Sequence, residues 1–196
     1  MTIKIFIDQG HNPGNINAGA SALGLEEQEV NFNVGSYLAD FLDSDPRFAV
    51  RTSRIFPQQV IGYDQTSSLR QRVQMANFWE ADYFISIHAN SNPNPAINGS
   101  EIYVYREFIQ SYYMAEVVLT SIVDIVGTRD NQVRINPSLY VLRATAMPAM
   151  LIELGYLTNP KDNELLRNDQ YNFAYAIYMG LLNYFNLAPL PNTAQA

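Results

Sequence analysis

The sequence predicts an α/β fold: a single domain with a largely parallel, twisted sheet of about six strands and helices on both faces. Apolar runs of strand length alternate along the chain with segments of helical periodicity, which is the pattern of parallel strands joined by crossover helices. Three of these runs end in a polar or glycine-containing segment, at Gly10, His88 and Glu153. Because ligands of such sheets bind beyond the carboxyl ends of the strands, we expect a functional site there.

The composition narrows the class of protein. The chain has 196 residues, of which 47% are hydrophobic, and this is enough to bury one sizeable core. A net charge of −7 argues against nucleic acid as a partner. No stretch approaches the roughly 20 apolar residues of a membrane span, so none is expected. The chain has no cysteine, so a metal site would have to use His, Asp and Glu.

The first half of the chain is predicted to hold three strands and two helices. Apolar runs predict strands over residues 3–7, 48–54 and 83–87. Residues 27–43 have helical periodicity, and a Gly/Ala-rich loop precedes them. Ser68 and Gln71 resemble a capping box that opens the second helix.

The second half is predicted to hold three more strands, over residues 99–105, 139–142 and 149–154. Helices are expected over residues 110–126, where Gly127 is a suitable C-cap, and over most of residues 165–185. Residues 188–196 are rich in Pro, Ala, Thr and Gln, which is typical of a tail or the start of a linker. The domain is therefore expected to span residues 1–187.

Glu153 lies inside an apolar run, and burying an unpaired carboxylate costs several kcal/mol or raises its pKa. One interpretation is an ion pair with an arginine such as Arg72 or Arg143. The other is a general base with a raised pKa.

The two histidines of the chain, His11 and His88, each follow an apolar strand. Two imidazoles and one carboxylate, with a fourth position left to water, make the donor set of a catalytic zinc site. The carboxylate could come from the start of the first helix or from Asp8. The candidates at the start of the helix are Glu26, Glu27 and Glu29. Chemistry alone does not distinguish among these three glutamates and Asp8.

Five motifs occur in order between residues 4 and 185: Asp8-Gln9-Gly10-His11-Asn12-Pro13, Glu27-Gln28-Glu29-Val30-Asn31, Leu69 with Arg72, Ala76 and Asn77, Ser86-Ile87-His88-Ala89-Asn90, and Glu153-Leu154-Gly155-Tyr156-Leu157-Thr158-Asn159. Together they resemble the zinc-dependent N-acetylmuramoyl-L-alanine amidases of the Amidase_3 family. The resemblance implies a phosphorylase/hydrolase-like fold, with zinc bound by His11, Glu27 and His88 and with Glu153 catalytic. It also implies cleavage of the amide between the lactyl group of muramic acid and the first L-alanine of the stem peptide.

The chain departs from the family at Asp130-Asn131-Gln132, where relatives often carry Asp-Arg-Gly. A basic group near the stem peptide is missing there, and Arg134 or Arg129 could substitute for it. The predicted substrate-binding residues are Asn90, Arg72 and Arg134. Residues 105–139 hold one helix and a short connection, so we expect no autoinhibitory insertion.

The resemblance places the action of the protein on peptidoglycan, at the bacterial cell wall. A separate wall-binding module or an activator protein would be its other expected partners, and the sequence shows no export route. A domain of this kind could act in sporulation, growth, cell separation or phage lysis, and the sequence does not distinguish among these settings. Two rival functions are a zinc peptidase and a peptidoglycan-binding module on an inactive hydrolase scaffold. The intact set of His11, Glu27, His88 and Glu153 argues against the second.

Overall fold

A computed structural model describes residues 2–190 of the chain. In chain order the elements are β1 (Ile3–Gln9), β2 (Ser21–Ala22), β3 (Leu25–Glu26), α1 (Glu27–Asp43), β4 (Phe48–Thr52), α2 (Gln65–Phe78), β5 (Tyr83–Asn90), β6 (Ser100–Val104), α3 (Gln110–Val126), β7 (Asp130–Ile135), α4 (Tyr140–Ala144), β8 (Ala149–Tyr156), α5 (Pro160–Asn168) and α6 (Gln170–Tyr184).

Six strands form one sheet in the order β4-β1-β5-β8-β6-β7, and β2 and β3 pair separately. The first four strands of that order are mutually parallel. β6 runs antiparallel to β8, and β7 runs parallel to β6. These pairings confirm the predicted α/β fold with a largely parallel sheet.

Helices cover both faces of the sheet. α1, α3 and α6 pack over one face, where alternate strand residues such as Ile5, Ile85 and Ile152 are buried with them. α2 and α4 cover the other face, packing against residues such as Phe84 and Leu151. Because side chains alternate along a strand, each strand contributes to both layers.

On the face covered by α2 and α4, polar side chains lie at the carboxyl ends of the strands. On that face Asp8 follows Phe6 by two residues, and Glu153 follows Leu151 in the same way. On β5 the same face carries Phe84, then a serine, then His88. The face is thus apolar under α2 and α4 and polar beyond them, which is where the candidate site lies.

One predicted strand is wrong. Residues 139–142 form the N-cap and the first turn of α4, with Val141 and Leu142 buried. A short apolar run does not distinguish a buried strand from a buried helical turn. The sixth strand is instead β7, an edge strand of polar and mostly exposed residues whose sequence has no apolar pattern.

Helix boundaries follow the predictions with two exceptions. α2 begins earlier than expected, because its capping box is made by Asp64 and Ser67 and not by Ser68 and Gln71. The expected helix over residues 165–185 divides at Asp169 into α5 and α6. α3 spans the predicted residues, and Gly127 ends it in the left-handed conformation with φ 80°.

Residues 188–190 follow α6 without helix or strand, and the remainder of the predicted tail, residues 191–196, lies outside the described residues. Within residues 2–190, no helix is both long enough and apolar enough to cross a membrane.

Candidate active site

His11 lies in the loop after β1 and is fixed through both its ring and its backbone. Its Nδ1 is 3.1 Å from the Asn17 carbonyl oxygen, and its Nε2 is 3.4 Å from Glu27 Oε1. Its own carbonyl accepts hydrogen bonds from Arg72 Nη2 at 3.0 Å and from Arg54 Nη1 at 3.2 Å. These contacts orient the ring so that Nε2 faces the other site residues.

Glu27 is the first residue of α1, and its two carboxylate oxygens have different partners. Oε2 accepts a hydrogen bond from the Ala20 N–H at 2.8 Å, and Oε1 lies 2.9 Å from His88 Nδ1. Burial favours the neutral acid, but the hydrogen bonds and charges of His11 and His88 lower the pKa of Glu27 well below its usual range. Glu27 is therefore a carboxylate and is available as a metal ligand.

His11, Glu27 and His88 can hold a metal ion together. Each contributes one donor atom, and all three atoms lie within 4.8 Å of one another. Ligands at 2.0–2.1 Å in a tetrahedral site are separated by about 3.4 Å, so this spacing fits a small divalent ion. Two imidazoles and a carboxylate are also the right donor types, and the contact between His11 and Asn17 is the kind that fixes a ligand imidazole.

Two glycines give these donors room. A Cβ at Gly10 would lie 2.2 Å from His88 Cε1, and a Cβ at Gly19 would lie 2.5 Å from Glu27 Oε2. Neither position tolerates a side chain without displacing a predicted ligand.

Glu153 faces this cluster from the neighbouring strand, because β8 pairs with β5 in a register that sets Glu153 beside His88. Its Oε2 is buried and has no hydrogen-bond partner within residues 2–190. Burial raises the pKa of Glu153 well above its usual range, and the negative charges of Glu27 and Glu101 raise it further. These are the properties of a general base.

The alternative interpretation, an ion pair of Glu153 with Arg72 or Arg143, is wrong. Arg72 Nη1 lies 2.6 Å from Asp8 Oδ1, and Arg143 donates to the Pro137 and Ser138 carbonyls. Neither guanidinium is available to the Glu153 carboxylate.

Arg72 and Asp8 form an ion pair, and Arg72 also donates to the carbonyl of His11. Arg72 is 1% exposed. The second Asp8 oxygen accepts a hydrogen bond from the Ser86 hydroxyl at 2.8 Å, so both oxygens are engaged. Asp8 is therefore not placed with the metal-ligand candidates.

The other two predicted substrate-binding residues, Asn90 and Arg134, both contact Glu101, a carboxylate that was not predicted as a site residue. Asn90 Nδ2 donates to Glu101 Oε1 at 2.8 Å, and Arg134 Nε lies 2.9 Å from Glu101 Oε2. Glu101 is a buried charge in the apolar strand β6. The signal that identified Glu153, a carboxylate inside an apolar run, was thus also present here.

Comparison with known proteins identifies the family. The model of the Amidase_3 family, described as N-acetylmuramoyl-L-alanine amidase, matches residues 5–183. The chain belongs to this amidase family. Amidase CwlM of Bacillus licheniformis is 35% identical over 190 residues, which are 95% of this chain and 70% of that protein. Amidase LytC of Bacillus subtilis is 34% identical over 185 residues, which are 92% of this chain and 35% of LytC.

Solved amidase structures have the same fold. The N-acetylmuramoyl-L-alanine amidase of Clostridium difficile 630 superposes with a TM-score of 0.84 at 31% identity, covering 94% of this chain and 97% of that one. Amidase AmiC2 of Nostoc punctiforme gives a TM-score of 0.82 at 33% identity, covering 94% of this chain and 97% of that one. The residues that the family model matches, 5–183, include His11, Glu27, His88 and Glu153.

Proposed function

We propose that this chain is a zinc-dependent N-acetylmuramoyl-L-alanine amidase that hydrolyses peptidoglycan at the bacterial cell wall, and that residues 1–187 form its catalytic domain. This proposal rests mainly on the relative position of four side chains. The cluster of His11, Glu27 and His88 lies beside Glu153, a partly buried carboxylate on the adjacent strand whose Oε2 is buried without a hydrogen bond. Membership of the amidase family supplies the reaction, which is cleavage of the bond between muramic acid and L-alanine.

His11 Nε2, Glu27 Oε1 and His88 Nδ1 would hold the zinc. Two nitrogens and one carboxylate oxygen leave a fourth position open, which is the arrangement of a catalytic site and not of a structural one. When bound, zinc supplies the Lewis acidity that polarises an amide carbonyl and lets water lose a proton near neutral pH. Asn17 and the Ala20 N–H keep the His11 ring and the Glu27 carboxylate in place.

Glu153 acts as the general base. Its raised pKa lets it accept a proton from the water that attacks the lactyl carbonyl carbon. It then passes the proton to the leaving nitrogen of L-alanine as the C–N bond breaks. Because its Oε2 has no partner within the described chain, no hydrogen bond has to break before Glu153 accepts the proton.

The predicted substrate-binding residues have different roles in this proposal. Asn90 and Arg134 lie along the edge of the site and contact the peptide part of the substrate. Arg72 is 1% exposed and donates to the His11 carbonyl, so it acts by fixing the His11 loop. A wall-binding module or an activator protein as a further partner stays a prediction.

Metal analysis of the wild type and of His88→Ala tests the site. The wild type is expected to carry one zinc per chain and the variant to lose it. Arg143→Gln is the control and should retain zinc, because Arg143 bonds to carbonyls outside the cluster. Full zinc occupancy in His88→Ala would remove His88 from the site.

Mass spectrometry of digested peptidoglycan tests the reaction. An amidase leaves muramic acid intact and frees the N-terminal alanine of the stem peptide. A zinc peptidase would leave the alanine attached to muramic acid and release a shorter peptide, and a binding module would release nothing. Either of these two results would overturn the proposed activity.

A further inference from the structure

Glu101 is a buried carboxylate with an unusual number of partners. Its Oε1 accepts hydrogen bonds from Asn90 Nδ2 at 2.8 Å and from the hydroxyls of Tyr103 and Tyr156, each at 3.0 Å. Its Oε2 lies 2.9 Å from Arg134 Nε. Burial and the Glu101 charge raise the pKa of Tyr103 to about 12, so that hydroxyl stays a donor. Three hydrogen bonds to one oxygen fix the position of this carboxylate.

Arg134 is fixed at one end and free at the other. Its Nε–H donates to the Asn131 carbonyl at 3.2 Å, and Nε also forms an ion pair at 2.9 Å with Glu101 Oε2, which accepts no hydrogen bond. Its side chain is 51% exposed, and its two terminal nitrogens make no hydrogen bond with any residue in 2–190. A guanidinium anchored through Nε presents its terminal N–H groups as a fork that matches a carboxylate.

The sheet places this fork close to the proposed base. Glu101 pairs directly with Glu153 across the antiparallel β6–β8 ladder. Arg134 is on β7, the next strand, where it pairs with Tyr103, and its side chain reaches back to Glu101. Two strand spacings and an offset of two residues put the Cα atoms of Arg134 and Glu153 about 12 Å apart. An extended peptide covers about 7 Å in two residues, so a substrate cleaved beside Glu153 would bring its second residue within reach of an arginine side chain.

We propose that Glu101 is a positioning residue that holds the Arg134 guanidinium to bind a free carboxylate on the second residue of the stem peptide. This inference rests on the proposed function, because it assumes that the scissile amide lies at Glu153. In peptidoglycan the second residue is a glutamate joined through its side chain, and its α-carboxyl is either free or amidated. The protein therefore selects the free-carboxylate form.

Two matched muropeptides test the proposal, one with a free and one with an amidated carboxyl group at the second residue. Hydrolysis by the zinc-loaded wild type is expected to show a kcat/KM about ten-fold higher for the free form, since a hydrogen bond to a charged group contributes that much or more. The difference should be found in KM. Binding of the same pair to Glu153→Gln, measured by calorimetry, gives the preference without turnover.

Variants separate recognition from structure. Arg134→Gln should reduce the kcat/KM ratio of free to amidated substrate to about one, and Arg134→Lys should retain part of it because the charge remains. Glu101→Gln should also lower the ratio, because the anchor of Arg134 loses its charge. Arg143→Gln removes an exposed arginine elsewhere and should keep the full ratio. Arg134 is half exposed, so its variants test recognition even if Glu101→Gln does not fold.

Equal affinity and equal KM for the two muropeptides in the wild type would overturn this inference and leave the amidase assignment intact. A ratio unchanged in Arg134→Gln would do the same. Carboxylate-dependent binding without any hydrolysis would instead overturn the proposed function. If neither muropeptide is bound or cleaved, both proposals fail.

Discussion

Charged side chains buried near the catalytic edge differ in whether they have a partner of opposite charge. Asp8 is paired with Arg72, and Glu101 is paired with Arg134. Glu153 has no ion pair among the described residues. Glu101 Oε2 and Glu153 Oε2 are both buried without a hydrogen bond, but only Glu101 has a cation beside it. Because an unpaired buried carboxylate is costly, its presence at the same edge as the metal-ligand cluster is better explained by catalysis than by stability.

Asp8 makes the stability of the fold depend on pH in the acid range. Burial alone would raise its pKa, but the charge and hydrogen bond of Arg72 outweigh this and lower it from 3.8. Its stabilising contribution is complete above pH 3.8 and is lost as the pH falls below that value. Asp8→Asn should be less stable than the wild type by about 3–5 kcal/mol at pH 7, because it leaves the Arg72 charge buried without a partner.

Urea unfolding of both proteins between pH 2 and pH 7 measures this effect. The stability gap should narrow by about 1.4 kcal/mol for each pH unit below the unfolded-state pKa. Asp43→Asn, at the exposed end of α1, is the control and should change stability by less than about 0.5 kcal/mol. A gap of the same size at both ends of the pH range would show that Asp8 is not held as a carboxylate by Arg72.

Sequence reasoning found His11, His88 and Glu153 because each interrupts or follows an apolar run, and Glu27 came from the family motif. It did not determine which charges pair. Arg72 was a candidate for substrate binding, yet its guanidinium bonds to Asp8 and to the backbone of the His11 loop. Pairing between side chains 64 positions apart in the chain depends on the fold and not on local pattern.

At the scale of elements, periodicity and capping decided how well each segment was predicted. α3 has a continuous apolar face and ends at Gly127, and its predicted bounds are those observed. α4 has only five residues, which is too short for a helical period to show. β7 is a polar edge strand, and it is held mainly by backbone pairing with β6, which an apolar pattern does not reveal.

The loop after β1 positions the His11 side chain, and Gly10 allows that loop to pass close to His88. A Cβ at Gly10 would lie 2.2 Å from His88 Cε1 and 2.4 Å from Nε2. Gly10→Ala should therefore displace the imidazole and weaken zinc binding about 10- to 100-fold, the range known for residues that orient metal ligands. Competition against a chelator of known zinc affinity measures this.

Gly14→Ala is the matched control in the same loop. Gly14 has φ 77° and nothing within 4 Å of an added Cβ, so alanine would cost backbone strain only. This variant should lose about 1–3 kcal/mol of stability and keep its zinc affinity. Wild-type zinc affinity in Gly10→Ala would contradict the packing described for His88.

For the whole molecule, the alternation of strands and helices was enough to predict the α/β fold and the edge that carries the site. The reversal of β6 and β7 relative to the other strands was not predicted, because direction depends on how connections cross the sheet. The reversal places Glu101 directly opposite Glu153 on the antiparallel ladder.

Truncations near the carboxyl terminus test where the folded domain ends. Truncation after Leu187 removes the Ala188 carbonyl, which accepts a hydrogen bond from Arg47 Nη1 at 2.9 Å. Leu187 itself packs against the core. The truncated protein should keep its kcat/KM and lose less than about 4 °C in melting temperature, because the hydrogen bond to Ala188 is exposed and such a bond contributes only about 1 kcal/mol.

Truncation after Tyr184 is the control. It also removes Phe185 and Leu187, which pack against the core, and should lower the melting temperature much further. A loss of many degrees in the first truncation would show that the residues beyond Leu187 belong to the folded domain.

The measurement that tests the account most directly is the hydrolysis rate of zinc-loaded Glu153→Gln on a defined muropeptide. Glutamine keeps the volume and hydrogen-bonding capacity of Glu153 but cannot accept a proton. The account predicts one zinc per chain, an unchanged melting temperature within a few degrees, and a rate at least about 10²-fold below the wild type. A zinc-replete variant that hydrolyses the substrate at the wild-type rate would contradict the role of Glu153 as the general base.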